Sequence, residues 1–285
     1  MDPYPGPVLR RRQAGSRLRQ LRESAGKSLS DVAAYLECSA AKISRIETGR
    51  LLARVPDVRN MLDLYDIGEP QRTEILDLVR ESRERGWWHA YADVIPEGLG
   101  TYIGLENSAV RISDYESYLV PGLFQTPEYA HAVQAPRMDF SEEAADRAVE
   151  VRMRRQTILD RTQPPDLHLV LDESVLHRVA ALGPVVGRQQ LAHLVALARR
   201  PHITVQVLTY TAGPGASSGI SFAIFSFPDP AEPKVVYVED LVSVTFESKI
   251  GTAAHYTSAF DGIRSVALSP EESIAFVGAL AGRAS

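Results

Sequence analysis

The stretch Ser39 to Arg45, SAAKISR, sets two hydroxyls, two methyl groups, an ammonium and a guanidinium within about two turns of a helix. Ile43 and Ile46 fall on one side at helical spacing, leaving Ala40, Ala41, Lys42, Ser44 and Arg45 on the opposite side or its flanks. That side is equipped for recognition. The planar donor fork of Arg45 matches the O6 and N7 acceptors of a guanine edge, and the methyls of Ala40 and Ala41 match thymine methyl groups. These three are the candidate base contacts. Ser39 beside the N–H groups of a helix start, Lys42 and Ser44 on the flanks, and Arg50 and Arg54 beyond the helix suit phosphate oxygens and flanking positions.

A second concentration of polar groups, Asp172, Glu173, Ser174 and His177, follows an apolar run. Acyl transfer would call for a G-x-S-x-G elbow around the serine, and Ser174 has none. The histidines His168, His177, His193 and His202 form no H-E-x-x-H pair, and there is no Walker-type phosphate loop. The cluster reads as the solvated start of a helix, so the expectation is no catalytic site, no cofactor and no metal.

A reading helix enters the major groove only if a supporting helix crosses it steeply through a tight turn, with a small residue at the crossing. The residues before Ser39 meet that need. Ser28 is an N-cap with Asp31 three places on, so a helix runs from Leu29 to about Glu37, with Val32, Ala33 and Leu36 inward and Ala33 as the small residue. Glu37, Cys38 and Ser39 make the turn, and the next helix ends at Gly49. Upstream, Leu9, Leu18, Leu21 and Ala25 recur at helical spacing as far as Gly26. Downstream, Val58, Leu62 and Tyr65 behind Pro56, then Ile75, Leu78 and Val79 behind Pro70, predict two more helices. The run Arg10, Arg11, Arg12 could reach a minor groove as a flexible arm or stay solvated.

From Trp87 the sequence turns aromatic and Gly/Pro-punctuated, which places a domain boundary near residue 90: a DNA-binding domain with linker helices over 1–90 and a second domain over 91–285. Trp87 and Trp88 could cage a ligand, but paired aromatics at a junction more often pack the domains together. Helices are expected at about 103–117, 126–135, 141–161 and 187–200, with two more over 252–282. LHLVLDE, ITVQVLTY, SFAIFSF, KVVYVED and VSVTFES read as strands. The fold class is α+β overall, an all-α N-terminal domain followed by a mixed α/β domain.

The net charge of −5 hides an uneven distribution: 12 basic against 6 acidic residues over 1–59, and 19 against 30 beyond. The basic end suits phosphate, whereas the acidic remainder would be repelled by it. With 285 residues there is room for two cores. No apolar run approaches the roughly 20 residues that cross a bilayer, the N-terminus lacks a signal-peptide pattern, and Cys38 is the only cysteine. These point to a cytoplasmic protein with no membrane partner.

Ser28 to Gly49, with ISRIETG at its end, resembles the helix-turn-helix of the xenobiotic-response-element regulators, the phage-repressor-like (lambda-repressor-like) group. That resemblance implies base contacts at Ala40, Ala41 and Arg45, and a structural pair between Arg22 and Glu47 that ties the first helix to the third. Leu29 stands where that group often carries a Gln that braces the DNA backbone. ERGWW, YESYLVPGLFQTPEYAHAV, RPHITVQVLTYTAG and FSFPDPAEPKVVYVED are similar to a large bacterial family in which a helix-turn-helix precedes a domain of unknown function, DUF5753-like. The resemblance implies an antitoxin-like regulator with a small partner protein. The reading is a dimeric regulator that binds double-stranded DNA at an inverted-repeat operator, with a homodimer, and a small partner protein or small-molecule effector, served by the second domain. The alternative is a protein-interaction antitoxin that neutralises a small partner, its DNA binding secondary.

Overall fold

The computed structural model describes residues 6–96, 98–134, 141–213, 215, 219–240 and 243–283. The chain divides into two compact units, Met1–Ala90 with Gly100–Ser108, and Tyr91–Leu99 with Ala109–Ser285. Residues 100–108 thus belong with the first unit, which a single cut near residue 90 leaves out.

The first unit is helical: α1 (Pro7–Ser24), α2 (Leu29–Tyr35), α3 (Ala40–Glu47), α4 (Val55–Leu64), α5 (Gln71–Glu81) and α6 (Leu99–Ser108). Pro7 opens α1, where its missing N–H costs nothing. Leu18, Val32, Ile43, Ile46, Val58, Met61, Leu62, Ile75 and Val79 form one buried cluster. Val8 meets α6 at Gly104, where a Cβ would stand 2.2 Å from Val8 Cγ2. The arginine run is not an arm. Arg10 to Arg12 lie inside α1, with Arg10 Nε 2.9 Å from Glu81 Oε2 of α5 and Arg12 packed over Gly49. The apolar spacing that begins at Val8 and Leu9 carries the helix through the basic residues. Trp87 and Trp88 share a short 3-10 turn, edge to face at 5.9 Å, with Trp88 buried.

The second unit is built on a six-stranded sheet of β1 (Arg111–Glu116), β2 (Asp166–Asp172), β3 (Ile203–Leu208), β4 (Phe222–Ser226), β5 (Val235–Glu239) and β6 (Val244–Glu247), in the order β3-β2-β1-β4-β5-β6. The first three are parallel and the rest join antiparallel, with Ile112 opposite Leu167 on one side and Phe225 on the other. Parallel neighbours need long crossovers, and α7 (Pro127–Gln134) with α8 (Glu142–Arg155), then α9 (Glu173–Ala180) with α10 (Gly183–Leu197), supply them. Phe260 and Ile263 of α11 (Ile250–Val266) cover Tyr115, Val170, Phe222, Ile224 and Val236. At the β3 edge the corner before α12 (Pro270–Arg283) takes the place of a strand. The Leu268 N–H donates to Val207 O (2.9 Å), and the Val207 N–H donates to Ser273 Oγ (3.0 Å).

The expected helix over 103–117 is a correction: α6 stops at Ser108 and RISDYE becomes β1. Pairing on both sides of β1 outweighs local preference, since each of its residues gains a partner strand that a helix could not offer. The PGLFQT stretch after β1 is held by side chains. Gln190 donates to Phe124 O (2.7 Å) and accepts from the Thr126 N–H (2.8 Å), while Gln156 donates to Gly122 O (2.9 Å) and Gln125 O (2.7 Å).

Glu116, at the end of β1, is raised from 4.5 to about 7, first by burial and further by the carboxylate of Glu239, against a hydrogen bond from Ser221. A carboxyl raised on folding adds stability while it is neutral and loses that stability as pH climbs through the folded value. The stability of Glu116→Gln relative to the wild type should therefore rise from about pH 4.5 to about pH 7 and level off above it. Thermal melts of both proteins across that range check this, and a gap independent of pH would contradict it.

Candidate nucleic-acid interface

Ser28 and Asp31 open α2 as a reciprocal box. The Ser28 N–H donates to Asp31 Oδ2 (2.7 Å) and the Asp31 N–H donates to Ser28 Oγ (3.1 Å). The helix closes on Glu37 in the left-handed region, φ 49°, with the Cys38 N–H donating to Ala33 O (2.9 Å) and the Glu37 N–H to Ala34 O (3.3 Å). A glutamate there costs about 1 kcal/mol relative to an unstrained backbone. The turn is nevertheless short enough for Ser39 to cap α3 at once, its Oγ accepting from the Lys42 N–H (3.2 Å). Gly49, φ 68°, ends α3 in the same way, and a Cβ there would sit 2.9 Å from Arg12 Cα.

α1 passes α3 at Gly15, where a Cβ would come within 2.5 Å of Ile46 O and 2.7 Å of Glu47 O. That approach brings Arg22 onto Glu47. Nε donates to Oε1 at 2.7 Å and Nη2 to Oε2 at 3.0 Å, while Nη1 donates to Lys27 O at 2.8 Å. Both residues are buried. The hydrogen bond to Glu47 holds the guanidinium above its ordinary value, although burial pulls the other way. Beside the pair, burial and the Glu47 charge push the Tyr65 hydroxyl well up. Bidentate geometry fixes direction as well as distance, so the pair sets how α3 is presented.

The anticipated contact residues divide by surroundings. Ala41 and Arg45 are exposed on α3, and Ser39 is exposed at its cap. Ala40 is half buried, with its methyl against the core. Ser44 is half buried and its carbonyl accepts from Thr48 Oγ1 (2.8 Å). Arg50 and Arg54 are exposed in the loop between α3 and α4. Lys42 is engaged elsewhere, by Asp57 of α4 at 2.7 Å. Asp57 was not foreseen, nor were Tyr35 (53% exposed), Arg59 and Asn60. The last two were accessible from the inward spacing of Val58 and Leu62, which leaves the positions between them outside.

The other polar cluster is a helix start. Asp172 caps α9, accepting from the Ser174 N–H (2.9 Å) and Ser174 Oγ (2.5 Å), while His177 turns to Glu173 Oε1 (3.1 Å). His168 is bound to Gln206 (2.7 Å). Among the described residues no group of three or more His, Cys, Asp and Glu is placed to hold a metal ion, and no helix is long and apolar enough to cross a membrane.

Residues 99–279, well over half of the chain, match the family described as a domain of unknown function (DUF5753). The chain belongs to the DUF5753 family. Residues 13–75 match a helix-turn-helix domain, a span that takes in α2, the turn and α3. No curated protein and no solved structure matches the chain. This member of the DUF5753 family is therefore a helix-turn-helix protein whose larger domain has no assigned role.

Glu47→Ala would strand the Arg22 guanidinium in a buried site, a change that costs roughly 3 kcal/mol. The expected result is a lower denaturation midpoint for the helical unit together with weaker DNA binding, read by denaturant melts and DNA titration of the full chain. Unchanged stability would show that the pair bears no load.

Proposed function

We propose that this protein is a sequence-specific transcriptional regulator that acts inside the cell and reads double-stranded DNA with α3. One observation carries the reading: α3 exposes Ala41 and Arg45 on a helix whose pose is set by the buried Arg22–Glu47 pair, within a domain matched as a helix-turn-helix. Base contacts are assigned to Ala40, Ala41 and Arg45, and backbone contacts to Ser39, Ser44, Arg50 and Arg54. The excess of basic residues over 1–59 supports this placement, because the phosphate attraction then acts on the reading end.

The working unit in this reading is a two-fold homodimer on an inverted repeat. A helix of eight residues offers few base contacts, too little for one copy to stand out against a genome of competing sites. Joining two copies makes the second contact intramolecular. The acidic second unit, kept off the duplex by its charge, is the part assigned to dimerisation and to a signal, either a small molecule or a partner protein. The bonds of Asp172, Glu173, Ser174 and His177 support capping in place of catalysis.

Arg45→Ala should lose discrimination at one base pair, about 1 to 3 kcal/mol, with little change on other DNA. Arg50→Ala and Arg54→Ala should weaken binding to every sequence and reduce the salt dependence, each by about one unit of slope. Titration of operator and unrelated DNA at several salt concentrations separates the classes. Uniform weakening by Arg45→Ala would remove it from the reading face.

A further inference from the structure

Lys42 is the third residue of α3, and its ammonium lies 2.7 Å from Asp57 Oδ2 with both side chains largely covered, 32% and 21% exposed. A cation in the first turn of a helix opposes the partial positive charge of the free N–H groups there, so the position is poor for lysine unless an anion offsets it. Asp57 is that anion. It stands in the first turn of α4, where a carboxylate is itself favoured. The pair ties α3 to α4 across the stretch that contains Arg45, Arg50 and Arg54. That stretch is fastened again in its middle, where the Arg50 and Leu51 N–H groups both donate to Arg45 O at 2.8 and 2.9 Å.

We infer that Lys42 is a positioning residue: its bond to Asp57 sets α4 against α3, and so places Arg50 and Arg54 relative to Arg45, and the ammonium does not pair with phosphate. The inference rests on the DNA-binding reading of α3. To take a phosphate, Lys42 would have to leave a largely covered carboxylate that also steadies the start of α4, leaving that carboxylate unpaired close to the DNA. Holding the pair avoids both losses. The loop then enters the complex already shaped, which reduces the ordering needed on binding.

The test uses the full chain and a DNA sequence that the wild type selects from a random pool. Affinity is measured over a range of salt for Lys42→Met, Asp57→Asn, the double variant and Lys42→Arg. Each single loss should weaken binding ~10-fold, with the double variant no weaker than either, because both remove one shared interaction. The slope of log affinity against log salt should stay at the wild-type value, since no phosphate contact is lost. Lys42→Arg, which keeps the bond, should bind as the wild type does. If Asp57→Asn lowers the melting temperature, Asp57→Ser, which keeps a side chain suited to a helix start, takes its place.

A slope reduced by about 0.9 in Lys42→Met, with tighter binding by Asp57→Asn, would overturn the inference and make Lys42 a phosphate contact restrained by Asp57. Unchanged affinity in all three loss variants would overturn it as well. Failure of the underlying reading looks different: the wild type then selects no sequence, and the inference falls with it.

Discussion

Everything the helical unit can present to DNA depends on how closely α1 lies along α3. The approach is set by Gly15, whose missing Cβ leaves room for the last carbonyls of α3, and is locked by the bidentate contact of Arg22 with Glu47. A hydrophobic core alone would hold α3 against the bundle but would tolerate small rotations, because apolar contact is not directional. Two parallel charge-assisted hydrogen bonds in a buried site do not tolerate them. The turn before α3 and the loop after it are then shaped by their own backbone bonds, and the side chains opposite Ile43 and Ile46 are presented in one pose.

The same economy recurs at the caps. Helices α1 to α4 each end on a residue in the left-handed region, Gly26, Glu37, Gly49 and Asp66, followed by backbone bonds back into the last turn. Glycine is free to do this at two of the four, while Glu37 and Asp66 carry a steric cost met by the packing of the elements around them. The second unit relies on a different device. There, Gln190 of α10 and Gln156 just beyond α8 take up backbone groups of the PGLFQT stretch, and Arg152 of α8 donates to the side-chain oxygen of Gln125, so an irregular segment has its polar groups satisfied without strand pairing.

The helical unit was largely legible in the sequence because its signals are local: capping serines at Ser28 and Ser39, stop glycines at Gly26 and Gly49, and apolar residues at helical spacing. Five strands were also legible, since β-branched and aromatic residues cluster between turns. What escaped was non-local. RISDYE becomes β1 only through two partner strands far away in the chain. The partner of Lys42 was hidden as well, because the carboxylate it meets stands 15 residues on, in another helix. The run Arg10 to Arg12 left an arm open beside a solvated face, and the contacts that decide against the arm, with Glu81 and Gly49, also lie far along the chain.

The account makes α3 a reader of base sequence, held in one pose and used in pairs. Selection of bound sequences from random duplex DNA by the full-length protein tests this most directly. The predicted result is an enriched inverted repeat whose half-sites are centred about 10 base pairs, or a multiple of that, apart. Recovery of no preferred sequence, or of a single half-site without its symmetric mate, would contradict it.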